Sequence, residues 1–254
     1  MLHYVTFNIR LDNGQDGAHN FVYRKPGIVQ AIRSMQPEII GFQEVLPHVG
    51  AWLRETFPEY TFVGCGRSGT LEDEQVCIAF RWESMQLISA STFWLSPTPL
   101  VPGSRYPQQS PCPRTVTEVL LHLTEEKRVL RVVNTHLDHE GEQARALGLG
   151  QILRQLDHPG LFPDAPVILG GDFNAQKEDP EMQLLRDSAF VNLTENIGTT
   201  YHGYDGEHPS SIDYICTRGE IACSAVRKWD WKENGLYLSD HFPVEATLSF
   251  TPCD

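Results

Sequence analysis

Five short segments place polar side chains at or just past the ends of apolar runs: Thr6-Phe7-Asn8, Phe42-Gln43-Glu44, Asn134-Thr135-His136, Gly170-Gly171-Asp172-Phe173-Asn174 and Ser239-Asp240-His241. A satisfied core has no use for such groups, because burying a polar side chain without a partner costs free energy. Carboxylates, amides and imidazoles are also the groups that hold hard cations, polarise water and bind phosphoryl oxygens. Asp172 and Asn174 are two apart after Val167-Ile168-Leu169, so a persisting strand would project both from one face, with Phe173 turned away. Such a pair could polarise a water and hold a phosphoryl oxygen; the competing explanation is a Gly-Asp turn. Asn134 and His136 repeat the spacing after Val129-Leu130-Arg131-Val132-Val133, where a purely structural histidine is the alternative.

Glu44 ends an apolar run and opens a loop. Hard cations such as Mg²⁺ take one or two carboxylates plus waters and substrate phosphate, so a single strand-end glutamate suits that ion better than a four-ligand zinc cage. An exposed loop glutamate is the plain alternative. Asn8 would lie beside Glu44 if strands 2–9 and 38–43 are parallel neighbours, as their β-α-β connection suggests; otherwise it is a turn asparagine. Ser239-Asp240-His241 cannot form a Ser-His-Asp relay, since adjacent residues do not reach that geometry and no G-x-S-x-G elbow occurs. His241 therefore needs an orienting carboxylate from elsewhere. Asp213, a lone charge in Ser211-Ile212-Asp213-Tyr214-Ile215, is the best candidate, because a buried carboxylate needs a partner of its own.

The elements that must carry these groups follow from periodicity. Early in the chain the pattern predicts strand 2–9, helix 24–36, strand 38–43, helix 46–56 and strand 60–64. Consecutive strands follow at 75–81, 85–95, 113–123 and 128–137, and direct succession implies antiparallel neighbours. Helix 140–156, strand 166–171, a short helix after Glu178-Asp179-Pro180, and strands near 212–217, 221–229 and 243–250 complete the order. Two mixed sheets packed face to face, with helices as outer layers, would bury such strands on both sides. The stretch Ser96 to Pro113 holds six of the 17 prolines and predicts a surface loop near the site.

With 254 residues and 41% hydrophobic content the chain can bury a large core, and no linker or repeat divides it, so residues 1–254 read as one domain. A net charge of −13 provides no general attraction to a polyanion. A duplex binder would need a local basic patch; Lys25, Arg67, Arg105 and Arg114 are the candidates, with Trp94 or Tyr106 to stack on a base. Six scattered cysteines (Cys65, Cys77, Cys112, Cys216, Cys223, Cys253) lack C-x-x-C spacing, which argues against a zinc knuckle or dense disulfide scaffold. No apolar run approaches the ~18 residues of a membrane span. The chain opens as a strand rather than a leader, so a cytoplasmic protein without an obligate protein partner is the expectation.

In this order the segments resemble the endonuclease/exonuclease/phosphatase superfamily, from Thr6 to His241. The resemblance implies an α/β fold, a four-layer sandwich of two central mixed β-sheets flanked by helices. It implies a metal-dependent phosphoesterase, with Mg²⁺ or Mn²⁺ on Glu44 and with Asn8 and Asp240 nearby. Asp172 would position or deprotonate the attacking water, Asn174 would hold the scissile phosphate, and Asp213 would pair with His241. His136 in N-T-H-L looks like the deadenylase/nocturnin branch, and Arg114 looks like a substrate-binding arginine of some members. Phe93-Trp94-Leu95-Ser96-Pro97 is similar to a run in bacterial members near that branch. The expected substrate is a phosphate ester, with the acidic balance favouring a small molecule or nucleotide over non-specific duplex. Two rivals remain. One is a metallo-β-lactamase-type zinc hydrolase, from the partial signature His136-Leu137-Asp138-His139. The other is a binding protein that has lost catalysis on the same fold.

Overall fold

The computed structural model describes residues 1–158 and 160–250. Among the described residues, twelve strands form two six-stranded sheets. The first sheet runs β11-β12-β1-β2-β4-β3, from β1 (Leu2–Asn8), β2 (Ile39–Val45), β3 (Tyr60–Val63), β4 (Gln75–Arg81), β11 (Ile221–Lys228) and β12 (Val244–Phe250). The second runs β5-β6-β7-β8-β10-β9, from β5 (Met85–Trp94), β6 (Thr115–Leu123), β7 (Arg128–His136), β8 (Val167–Asp172), β9 (Val191–Asn192) and β10 (Asp213–Arg218). Helices α1 (Phe21–Met35) and α2 (Pro47–Thr56) cover the first sheet, and α3 (Glu142–Asp157) and the short α4 (Gln183–Arg186) cover the second.

Three apolar clusters bind these four layers. Tyr4, Ile39, Ile78, Val132, Ile168 and Leu248 belong to the one between the sheets. Val5, Phe7 and Phe42 pack outward against Ile28, Ile32, Val49 and Leu53 of α1 and α2. Val133, Leu169 and Tyr214 do the same beneath Leu149 and Ile152 of α3. Strands with apolar side chains on both faces are stable only when both are covered, and this layering covers them.

The predicted elements appear with shifts of a residue or two at most ends. Helix α1 starts three residues earlier than expected, because Pro26 is accommodated in its early turns. One connectivity expectation needs correction. Strands 75–81 and 85–95 succeed each other directly, yet β4 pairs with β2 and β3 while β5 pairs with β6 in the other sheet. Both edges of β4 are already taken, so the link Trp82–Ser84 crosses between sheets. The β5-β6-β7 meander is antiparallel as expected.

Two glycines set how closely the sheets approach. Tyr4 of β1 lies fully buried with its hydroxyl over Gly170 of β8, where an added Cβ would overlap it, and a Cβ on Gly41 would stand 2.8 Å from the same oxygen. Gly170→Ala should therefore cost about 1–3 kcal/mol through overpacking. Urea unfolding would show this as a lower midpoint with an unchanged slope; an unaltered midpoint would mean that Tyr4 can move aside. A polar bridge also spans the gap. Asn134 of β7 donates through Nδ2 to Phe42 O (2.8 Å) and Cys77 O (3.0 Å), while its Oδ1 accepts from Gln43 Nε2 (2.7 Å). The expectation of chemistry at Asn134 thus resolves to inter-sheet structure.

Loop 96–113 contains no regular element but is packed rather than merely superficial: Ser96, Tyr106, Gln109 and Ser110 along it are buried. No helix among the described residues is long and apolar enough to cross a membrane. The five described cysteines are free, and Cys253 lies outside the described residues.

Candidate active site

Strand direction explains why distant residues meet. β1 and β2 are parallel, as are β7 and β8, whereas β12 runs antiparallel to β1 and β10 antiparallel to β8. The C-terminal ends of β1, β2, β7 and β8 and the N-terminal ends of β10 and β12 therefore share one rim. Register then sets neighbours: Asn8 lies beside Gln43, and Asp172 stands between His136 and Asp213.

At that rim Asp172 is 1% exposed and forms the hub. Its Oδ2 accepts from Asn8 Nδ2 (3.0 Å) and lies 3.5 Å from His136 Nε2 and 3.7 Å from His241 Nε2. Its Oδ1 accepts the backbone N–H of Asn174 (2.9 Å). Asn174 adopts a left-handed backbone, φ 49°, which asparagine tolerates better than most residues. The strand stops at Asp172, so Asp172 and Asn174 share the cavity through this turn and not through continued pleating. The turn and the functional pairing are one feature. Asn174 donates one Nδ2–H to Leu137 O (3.1 Å), leaving its other for a ligand.

Glu44 sits in a left-handed conformation, φ 63°, at the end of β2. Its Oε1 accepts from Asn8 Nδ2 (3.0 Å) and its Oε2 from Leu11 N (2.6 Å). Burial alone would raise its pKa, but these hydrogen bonds, with the charges of His241 and Arg10, hold it below the ordinary value. The Asn8 amide thereby orients two carboxylates at once, a positioning job that the sequence did not suggest. Its Oδ1 accepts Arg10 N (3.0 Å).

His241 donates through Nδ1 to Asp213 Oδ2 at 2.8 Å, leaving Nε2 toward Asp172. Burial opposes its protonation, but Asp213, Asp172 and Asp240 outweigh that and push it up to about 10. His136 goes the other way: burial, then Arg114 and Arg67, hold it neutral well below the usual imidazole range. One rim thus carries a charged and a neutral imidazole on either side of a carboxylate. Asp240 lies near Arg10 (Oδ2 to Nε, 3.6 Å) and accepts from Ser239 Oγ (3.1 Å).

These groups line a cavity of about 580 Å³ that also includes Arg67, Glu74, Arg114, Tyr201, Gln176 and Asp179. The donor atoms of Glu44, Glu74 and His136 lie within 4.8 Å of one another, as do those of Asp172, Asp213 and His241. The carboxylates repel: burial raises Asp240 and Glu74, and the charge on Glu44 raises both further. Crowded oxygen donors of this kind suit a hard divalent cation, whose charge would relieve the repulsion.

All nine predicted site residues except Asn8 and Asp213 line the cavity, and those two touch residues that do. Arg114, expected within strand 113–123, precedes β6 and is buried, with Nη2 against His139 Nδ1 at 2.8 Å. The proposed basic patch is only half realised. Arg67 and Arg114 line the cavity, whereas Lys25 lies over Phe21 and Trp52. Arg105 binds the carbonyls of Gln109 and Ser110. Trp94 and Tyr106 are also unavailable for stacking: both are buried, with Trp94 Nε1 on Arg67 O and Tyr106 Oη on Gln151. The zinc rival fails on geometry. Asp138 accepts from Ser110 Oγ and from the backbone N–H of Ser110, Glu140 and Gly141, and neither it nor His139 joins a metal-type cluster among the described residues.

Arg10, Arg67 and Glu74 are among the cavity residues that the sequence reading did not assign to the site. Glu74 carried the same signal as Asp240, a charge just before an apolar strand, and the criterion used for the other segments would have found it.

The layers and the rim cluster define a DNase I-like α/β sandwich. The model described as "Endonuclease/Exonuclease/phosphatase family" matches residues 5–241, and the chain belongs to that family. Among solved structures it is similar to an endonuclease/exonuclease/phosphatase from Bacteroides vulgatus, with TM-score 0.91, 27% identity and coverage of 98% of this chain and 99% of that one. It is also similar to a functionally unknown conserved protein from Enterococcus faecalis V583, with TM-score 0.90, 27% identity and coverage of 98% and 100%. A Bacteroides thetaiotaomicron mannosyl-6-phosphatase aligns at TM-score 0.89 and 24% identity, covering 98% of this chain and 100% of that one, which shows likeness of fold. No curated protein matches the chain.

Proposed function

We propose that the chain hydrolyses small phosphate esters by metal-assisted, in-line attack of water. The observation that carries this reading is Asp172, a buried carboxylate flanked by His136 and His241 in the same cavity as Glu44 and Asn174. The cavity volume, about 580 Å³, suits a small molecule.

Glu44, with Asp240 across the cavity, would hold Mg²⁺ or Mn²⁺; when bound, the cation neutralises a phosphoryl oxygen and charge developing in the transition state. Asp172 orients the attacking water and takes its proton. Asp213 fixes the His241 tautomer, so that the charged imidazole presents Nε2–H to the phosphoryl group. Neutral His136 and the free Asn174 N–H bind further phosphoryl oxygens, and Arg114, which lines the same cavity, reinforces the anion site. In-line displacement requires no covalent intermediate on the enzyme.

The test is release of inorganic phosphate or alcohol from a panel of phosphate esters with and without chelator. EDTA should abolish turnover and Mg²⁺ or Mn²⁺ should restore it. Glu44→Gln should raise the metal concentration required for half-maximal activity by at least about tenfold. Full activity in chelator-treated protein would end the metal-assisted reading.

A further inference from the structure

Arg67 and Glu74 stand at the ends of a loop that is held rigidly. Arg67 N donates to Glu74 O (2.9 Å), and a Gly66–Gln75 bridge closes the loop beneath them. Trp94, buried at 4% exposure, donates its indole N–H to Arg67 O (2.6 Å), so the loop is pinned to the second sheet as well. Gly103 lies so close to Gly69 that a Cβ there would meet Gly69 N at 2.8 Å, which locks loop 96–113 against the same segment. Two loops without secondary structure thus build one fixed wall of the cavity.

That wall presents an unusual pair. Glu74 is 8% exposed and Arg67 9%, and both line the cavity. Arg67 Nη2 donates to Glu74 Oε1 at 2.5 Å, whereas Glu74 Oε2 has no hydrogen-bond partner among the described residues. Beside them stands Arg114, 4% exposed, which also lines the cavity and turns its Nε toward Asp138 Oδ1 at 3.8 Å. Glu74 Oε2 is therefore left to accept from a ligand in the cavity, with the Arg67 and Arg114 guanidiniums beside it.

Position indicates which part of a substrate meets them. The Glu74 carboxylate lies within 4.8 Å of both the Glu44 carboxylate and the His136 imidazole, while Asp172 is 3.5 Å from His136. His136 thus separates the water-activating carboxylate from Glu74. Nucleophile and leaving group lie on opposite sides of phosphorus in an in-line reaction, so the Glu74 wall faces the departing alcohol.

Resting on the phosphoesterase reading above, we infer that Arg67 and Glu74 form a subsite for hydroxyl groups on the alcohol portion, and that the substrates are phosphate esters of small polyhydroxylated alcohols. A hydroxyl both donates and accepts, so neighbouring hydroxyls match an open carboxylate oxygen beside a guanidinium. Among the described residues that line the cavity, Tyr201 is the only Phe, Tyr or Trp, and it lies away from this wall against His241, with ring centroids 4.9 Å apart and planes tilted by 56°. The alternative occupant, a second cation on Glu44, Glu74 and His136, would face Arg67 and Arg114 together.

The test compares hexose 6-phosphate with hexyl phosphate, which share charge and leaving-atom chemistry, on the full chain with Mg²⁺; 4-nitrophenyl phosphate reports chemistry alone. Wild type should favour the hexose ester in kcat/KM by about 10²-fold or more, since a site built for substrate hydroxyls rejects analogues lacking them. Glu74→Ala should reduce that ratio at least tenfold, and Glu74→Gln, which keeps an acceptor oxygen, should restore part of it. A ratio near one in wild type would overturn the inference while leaving phosphoester hydrolysis standing. Equal losses on both esters with weakened Mn²⁺ binding would overturn it in favour of a cation site. Absence of turnover on all three compounds would remove both readings.

Discussion

Asp172→Asn should lower kcat on any accepted phosphate ester by about 10²–10⁴-fold, the range expected for loss of a general base, with the fold intact. Asparagine retains the volume of aspartate and an oxygen to accept the Asn174 N–H, so the turn after β8 survives. Its amide oxygen is too weakly basic to take a proton from water. Burial, followed by the charge of Asp213, pushes the wild-type carboxyl up, against the opposing pull of His241. The sign is therefore definite. The base form is lost as pH falls through a value above the ordinary aspartate pKa of about 3.9, and kcat/KM should show an acidic limb there. Stability runs in the opposite direction: a carboxyl with a raised folded-state pKa contributes most below its unfolded pKa, and that contribution fades as pH rises through the folded value. At pH 7 the asparagine variant should melt no lower than wild type, while its acidic limb disappears. Near-normal turnover, or a large drop in melting temperature, would remove Asp172 from the reacting centre.

The same residue shows what the chain discloses before folding. Asp172 and His241 were legible because each breaks an apolar pattern at a strand end, and a polar group there must have a partner or a use. Asp213 was legible for the stronger reason that a charge inside an apolar strand leaves few explanations. The layers followed from strands too apolar to face water on either side. Lateral facts were not legible. Nothing in Trp82–Ser84 says that the chain changes sheets there, because that depends on β2 and β3 having claimed both edges of β4. Asn134 and His136 look alike along β7, yet one crosses to the other sheet and one faces the cavity. Strand periodicity gives both the same face, and only the depth of each position separates structure from chemistry. Trp94 looked like a stacking surface and is an anchor for the Arg67 loop.

The final expectation concerns Asp213, which need not touch substrate. Its carboxylate binds His241 Nδ1 at 2.8 Å, and burial hides both, at 2% and 6% exposure. Asp213→Asn should reduce kcat by about 10²-fold or more, because it removes the charge that keeps His241 protonated and can leave Nε2 without its proton. It should also move the basic limb of kcat/KM to lower pH. In wild type the neighbouring carboxylates raise His241 to about 10, and the proposed mechanism uses the protonated form. Without Asp213, burial regains weight and the imidazole loses its proton earlier. His241→Ala should lose at least as much activity and show no such limb. The double variant should lose little beyond His241→Ala alone, because a residue acting only through a second has nothing to add once that second is gone. Additive losses in this cycle, or an unmoved basic limb in Asp213→Asn, would show that Asp213 serves the fold and not the proton on His241.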